Sequence, residues 1–289
     1  MKKPLFTGAC TALVTPFLEG KVNYPMLEIL LRRQIEAGIK AVAVCGTTGE
    51  ASTLSDAEKL EIIRRSREFA GDQLCILAGS GSNCTAHAVA FSKSAEDAGA
   101  DALLVVSPYY NKATEEGLYT HYFAIAGSVG IPIVVYNVPS RTGVDISVRV
   151  YQRLAKLPNI AGVKEASGDI GKIAKILARC PKEFRVWAGN DEMITPVMSL
   201  GGLGAISVLS NLYPEEVNAM TLAALDGDFD TASNLQKEFL PLIEALFSEV
   251  NPIPVKSAMR LLGYDCGVCR LPLTAAEPKT VERIKANLP

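Results

Sequence analysis

Ile160-Ala161-Gly162-Val163-Lys164-Glu165-Ala166-Ser167 is the stretch on which the reading of this chain turns. Apolar and small residues run into one lysine. Pro158-Asn159 precede them and Ser167-Gly168-Asp169 follow, so the segment reads as a buried strand leading into a helix. Alternate side chains of a strand share a face, which puts Ile160, Gly162 and Lys164 on one side. Lys164 then stands at the carboxyl end of a buried strand, where α/β proteins collect their functional groups. Burial favours the neutral form of an amine, and a neutral amine forms a Schiff base with a carbonyl. The plainer alternative is a lysine paired with Glu165, its head snorkelling to water.

Working outward, the same kind of apolar run recurs at 10–15, 41–45, 74–78, 102–107, 133–136, 185–188 and 204–208, making eight with 160–164. Most are rich in Val, Ile, Leu and Ala without alternation, as strands covered on both faces are. Helical patterns fill the gaps at 24–37, 57–70, 85–98, 115–129, 148–157, 170–178 and 192–200. Ser55 followed by Glu58 is a capping box. Gly38, Gly71, Gly99 and Gly130 fall just past helix ends, where a left-handed residue is wanted. Eight strands alternating with helices over about 210 residues predict a (β/α)8 barrel. A doubly wound open sheet is the alternative, but its Gly-rich dinucleotide fingerprint is missing. After residue 208 the strand signal stops, and 214–225, 229–247, 254–262 and 280–287 read as helices. The expected organisation is a barrel over residues 1–224 carrying the site, with a helical region over 225–289 packed on it.

The 289 residues are 48% hydrophobic and 21% charged, with a formal net charge of −2. That balance offers no basic footprint for nucleic acid or an anionic membrane surface. No apolar run approaches the roughly 20 residues that span a bilayer. The first residues lack the apolar stretch of a secretory signal, so a cytoplasmic protein is expected. The seven cysteines are scattered and read as reduced thiols. Cys266 and Cys269 have metal-ligand spacing, but no second pair or nearby histidine accompanies them, so neither a zinc nor a redox role is assigned.

In a barrel the carboxyl ends of the strands carry the chemistry. Here they offer Gly46-Thr47-Thr48-Gly49-Glu50, Gly79-Ser80-Gly81-Ser82-Asn83, Ser107-Pro108-Tyr109-Tyr110-Asn111, Tyr136-Asn137-Val138-Pro139-Ser140-Arg141-Thr142-Gly143 and Lys164. Taken singly, each is as well explained by a turn or by packing. Together they supply an amine nucleophile, hydroxyls for proton relay and an arginine for a carboxylate, the needs of a lysine aldol-type site. No Asp pair or metal cluster competes, and His87 and His121 fall within helical patterns.

The Gly-Thr-Thr-Gly-Glu turn, the Tyr136–Gly143 segment and Val163-Lys164-Glu165-Ala166-Ser167 closely resemble the dihydrodipicolinate synthases. These belong to the pyruvate-dependent Schiff-base aldolases that include N-acetylneuraminate lyase. The resemblance runs from Gly8 through the helical tail. It implies condensation of pyruvate with L-aspartate-4-semialdehyde to 4-hydroxy-tetrahydrodipicolinate, the first committed step of lysine and diaminopimelate biosynthesis. It implies no cofactor, pyruvate being held as an imine on Lys164, and a homotetramer built as a dimer of dimers. Tyr136 would shuttle protons, and Thr47 would link it to Tyr110 reaching in from a neighbouring subunit. Thr48 would hold the pyruvate carboxylate, Arg141 would bind the semialdehyde carboxylate, and Gly189 and Ile206 would line the pocket. The double threonine with Arg141 favours the synthase over a sugar-acid lyase, which remains the alternative. Positions matching a lysine-inhibition site are Ala51, Ser52, Lys59, Asn83, His87 and Tyr109. His87 stands where sensitive relatives carry glutamate, and Lys59 where they often carry histidine. A cationic effector thus loses a carboxylate and meets a like charge, which implies weak or absent inhibition by lysine.

Overall fold

The computed structural model describes residues 4–289. Its strands are β1 Gly8–Ala12, β2 Phe17–Leu18, β3 Lys21–Val22, β4 Ala41–Val44, β5 Cys75–Gly79, β6 Ala102–Val106, β7 Ile133–Asn137, β8 Ile160–Glu165, β9 Arg185–Ala188 and β10 Gly204–Ser207. β2 and β3 form a small antiparallel ribbon, and the other eight close a parallel barrel in the order β1-β10-β9-β8-β7-β6-β5-β4. All eight predicted barrel strands are present. The ribbon was not foreseen: two residues per strand carry no periodicity to detect.

The connecting helices are α1 Tyr24–Glu36, α2 Asp56–Ala70, α3 Thr85–Asp97, α4 Glu115–Ala126, α5 Pro139–Thr142, α6 Val148–Leu154, α7 Ile170–Arg179, α8 Ile194–Ser199 and α9 Pro214–Leu225. The Ser55–Glu58 capping box closes both of its bonds at the start of α2, a device worth about 1 kcal/mol. Gly38, Gly71 and Gly99 have positive φ, as expected at helix ends, whereas Gly130 is not among the positive-φ residues. Gly130 belongs to a longer exit after α4, where its N–H donates to Glu96 Oε1 at 3.0 Å.

Two packing layers follow from strands buried on both faces. One cluster fills the barrel and includes Cys10, Ala43, Leu77, Leu104, Val134, Tyr136, Trp187 and Ile206. The larger one lies between sheet and helices and includes Val42, Ile76, Val105, Val135, Ile160, Val163 and Val186. Ile160 is therefore on the helix side, which corrects the expectation that it shares a face with Lys164. The cause is a register shift: Ile133 pairs with Ile160 but Val134 pairs with Gly162, so Ala161 is an extra residue in β8. Beyond the bulge, Gly162 and Lys164 face inward. Only glycine fits at 162, because a Cβ there would lie 2.0 Å from the carbonyl oxygen of Arg185.

The remaining helices are α10 Phe229–Leu246, α11 Ile253–Leu261 and α12 Pro278–Lys285. α10 packs on α8 and α9, and α11 packs on α12 and α10. The segment after α11 returns to the top of the barrel, where Phe17 N–H donates to Cys266 O at 2.9 Å. Arg270 donates to Thr53 O at 2.9 Å and pairs with Glu58 at 2.5 Å. The tail thus grips the loop that follows β4.

Candidate active site

At the carboxyl end of the barrel a cavity of about 410 Å³ is lined by Thr47, Thr48, Tyr136, Arg141, Lys164 and Gly189, joined by Asn251 and by Ile243 and Phe247. Six residues singled out from four separate strand ends therefore meet at one place. Lys164 is 5% exposed, and its Nζ lies 4.5 Å from the centroid of the Tyr136 ring. Register explains the pair, since Tyr136 on β7 and Lys164 on β8 are direct neighbours across the ladder. Gly189 lines the cavity close against the end of β8, where a Cβ would come within 2.7 Å of Ala166 Cβ.

The neighbour in sequence, Glu165, is not the partner of Lys164. It points to the helix side of β8, where it accepts from Asn137 Nδ2 at 2.7 Å, Tyr151 OH at 2.9 Å and Ser167 N–H at 3.0 Å. Its remaining cation is Lys172, 3.6 Å away. Lys172 also pairs with Asp145. Burial and the adjacent carboxylate push the Tyr151 hydroxyl far above its ordinary pKa, so it stays a donor. Among the described residues no carboxylate lies within ion-pair distance of Lys164 Nζ. The amine is buried without a counter-charge.

The Gly46–Glu50 turn is held from the far end of the chain. Glu50, in a left-handed conformation with φ 55°, sends a fully buried carboxylate to Lys256 Nζ at 2.6 Å and accepts from the Arg270 N–H at 2.8 Å. Thr48 Oγ1 accepts from Asn251 Nδ2 at 2.9 Å. Arg141, on the short helix α5, donates to the Asn251 carbonyl at 3.2 Å. Neither Asn251 nor Lys256 was picked out from the sequence. They follow helix α10, more than 200 positions from the turn they hold, and no local pattern marks such a pairing.

The other predicted residues stand as follows. Tyr110 is 90% exposed on the loop after β6, with φ 72°, and is not part of the Lys164 cavity. Ile206 is fully buried inside the barrel, and the residue near it on the cavity wall is Val208. A second cavity of about 510 Å³ shares Thr47, Tyr136, Arg141 and Asn251 with the first, and holds Ala51, Ser52, Lys59, His87 and Tyr109. There Asp56 pairs with Lys59 at 3.2 Å and with His87 Nε2 at 2.8 Å. Asn83 is not among the residues lining this cavity, and its carbonyl accepts from Asn111 Nδ2 at 2.9 Å. Cys266 and Cys269 are buried, and burial pushes both thiols up to about 12, where they are unreactive. Among the described residues no group of three His, Cys, Asp or Glu side chains is placed to hold a metal ion. No helix among them is long and apolar enough to cross a membrane.

Residues 5–289 match the model of the Dihydrodipicolinate synthetase family. The 4-hydroxy-tetrahydrodipicolinate synthase of Acetivibrio thermocellus is 47% identical over 288 residues, covering 100% of this chain and 98% of the relative. The synthase of the same name from a Thermoanaerobacter species is 48% identical over 286 residues, covering 99% of this chain and 96% of its own. Among solved structures, that of the 4-hydroxy-tetrahydrodipicolinate synthase from Methylacidiphilum fumariolicum SolV superposes with a TM-score of 0.96 at 41% identity, covering 98% of this chain and 94% of that one. Dihydrodipicolinate synthase from Aquifex aeolicus gives 0.95 at 41% identity, covering 97% and 96%.

Proposed function

Because the chain belongs to the dihydrodipicolinate synthetase family, we infer that it catalyses condensation of pyruvate with L-aspartate-4-semialdehyde to 4-hydroxy-tetrahydrodipicolinate. The observation that carries this reading is the unpaired amine of Lys164, buried 4.5 Å from the Tyr136 ring in a cavity that also holds Arg141 and two threonine hydroxyls. The family's sugar-acid lyases share the lysine, but Arg141 at this cavity suits a second carboxylate substrate.

Lys164 Nζ attacks the keto carbon of pyruvate, and loss of water gives a protonated imine. That imine draws electrons from the methyl group, so a methyl proton leaves and a nucleophilic enamine forms. The enamine carbon adds to the aldehyde of the second substrate. Attack of that substrate's amine on the imine carbon then closes the ring and frees Lys164. The protonated imine is the electron sink, so the scheme needs no cofactor. Tyr136 is the proton shuttle nearest the amine, and Thr47 extends the relay. Thr48 and the N–H groups of its turn hold the pyruvate carboxylate. Arg141, whose planar fork can meet both oxygens, takes the semialdehyde carboxylate at the mouth. Gly189 lines the pyruvate pocket, and Ile206 backs it from inside the barrel.

Tyr110 completes the relay only when a second copy of the chain supplies it. Its 90% exposure, with Tyr109 beside it at 39%, supports a dimer as the working unit and a dimer of dimers as the assembly. The protein would work in the cytoplasm on small molecules, without nucleic acid or membrane. The test is a steady-state assay with pyruvate plus L-aspartate-4-semialdehyde, run beside N-acetylneuraminate. Turnover of the first pair alone is expected. Turnover of the sugar acid alone would replace the reading with the lyase.

A further inference from the structure

We infer that Asn251 is a positioning residue that aims the Thr48 hydroxyl proton at the carboxylate of the keto acid bound beside Lys164. The inference rests on the reading above, in which Thr48 holds that carboxylate. A hydroxyl has one proton to donate and two lone pairs that accept. Asn251 Nδ2 can only donate, and it does so to Thr48 Oγ1 at 2.9 Å. That bond occupies a lone pair and leaves the Thr48 proton in need of an acceptor. Both residues line the Lys164 cavity, and a carboxylate is a pure acceptor. A threonine fixed as a donor matches it, whereas a freely turning hydroxyl would spend part of its time presenting lone pairs to a negative charge.

A second observation sets Asn251 apart from an ordinary buried amide. It is 5% exposed, and its Oδ1 is buried with no hydrogen-bond partner. An unpaired buried acceptor is costly, and an asparagine kept only for packing gains nothing by carrying that cost. The main chain of the same residue is also in use, since its carbonyl accepts from Arg141 Nη2 at 3.2 Å. Side-chain replacement keeps the carbonyl, so the Arg141 contact survives and the effect falls on pyruvate rather than on the semialdehyde.

The experiment compares Asn251→Ala and Asn251→Asp with wild type by the pyruvate concentration that half-saturates borohydride trapping. Steady-state constants and melting temperatures are read on the same samples. The Ala variant is expected to raise half-saturation about tenfold, the worth of one hydrogen bond to a charged group. The Asp variant keeps the volume but reverses the bond and adds a like charge, so its rise is larger than that of Ala. In both, kcat stays within about threefold of wild type, since an interaction shared by ground and transition states shows in KM. Combining Asn251→Ala with Thr48→Val is less than additive. Unchanged half-saturation, an Asp variant no worse than Ala, or KM and kcat changing only as the melting temperature falls would each overturn the assignment. If Ala fails to fold, Asp carries the test alone. Wild-type protein that pyruvate and borohydride do not modify defeats the underlying reaction. Trapped wild type with unaltered variants defeats only the role of Asn251.

Discussion

Lys164 and Lys256 are buried to nearly the same degree, at 5% and 3% exposure, yet they sit in opposite electrostatic company. Lys256 lies in the clamp between tail and turn, 2.6 Å from a fully buried glutamate. Lys172, buried behind β8, is likewise paired, with Asp145 and Glu165. Lys164 has the Tyr136 ring at 4.5 Å and, among the described residues, no carboxylate within ion-pair distance. A buried amine without a counter-ion is costly, and removing one partner of a buried ion pair strands the other. The two paired lysines therefore hold structure, while the unpaired one is the reactive amine of the proposed chemistry. The β8 strand separates these roles within two residues: Lys164 faces the cavity, and Glu165 faces the helices, where its charge is consumed by four neighbours.

That contrast can be broken experimentally. Lys164→Ala should cut kcat/KM by more than about a thousandfold and leave the melting temperature near wild type, because the covalent step is lost and an unpaired buried amine is relieved. Lys256→Ala should do the reverse. It strands the buried Glu50 carboxylate and should cost about 3–5 kcal/mol of stability, read by denaturant unfolding, while the protein that remains folded still forms the pyruvate adduct. Similar stability losses in both variants would erase the distinction.

Arg141→Ala should raise KM for the semialdehyde by about 10–100-fold and leave pyruvate trapping unchanged, since only the second carboxylate loses its partner. Lysine should fail to inhibit at micromolar concentration in a steady-state titration. At the adjoining cavity Asp56 is already engaged by Lys59 and His87, and the lining carboxylate of Glu50 is engaged by Lys256.

The smallest effect concerns a buried group outside both lysine environments. Burial pushes His121 down to about 4, and Thr85 Oγ1 sits 2.9 Å from its Nδ1. The unfolded chain binds a proton near pH 6.5 and the folded chain near 4, so stability is lost as pH falls through that window. His121→Gln should flatten the pH dependence of stability between those limits, by an amount on the order of 3 kcal/mol. An unaltered slope would place the acid sensitivity elsewhere.

The barrel was legible because each buried strand is a short apolar run and the longer helices between them carry their own period, α2 with a cap as well. Ser55-to-Glu58 was readable for that reason. So was Lys164, whose polarity interrupts an apolar run. What escaped was set by distance along the chain or by brevity. The Ala161 bulge turns Ile160 to the helix side, and nothing in the order of apolar residues signals an extra position in one strand. Helix α5 has four residues, too few for a period. Asn251, Lys256 and Arg270 act on Thr48, Glu50 and Glu58 from across the molecule, so their partners are defined only once the tail has folded over the barrel. The role given to Tyr110 rests on resemblance alone, since a side chain exposed in one copy has no partner within it.

The claim on which all of this depends is that one buried amine, and no other, becomes covalently bonded to pyruvate. Protein incubated with pyruvate, reduced with borohydride, digested and mapped by mass spectrometry should carry a single adduct on Lys164, absent in Lys164→Ala. Modification of Lys172 or Lys256 instead, or no adduct at all, would contradict it.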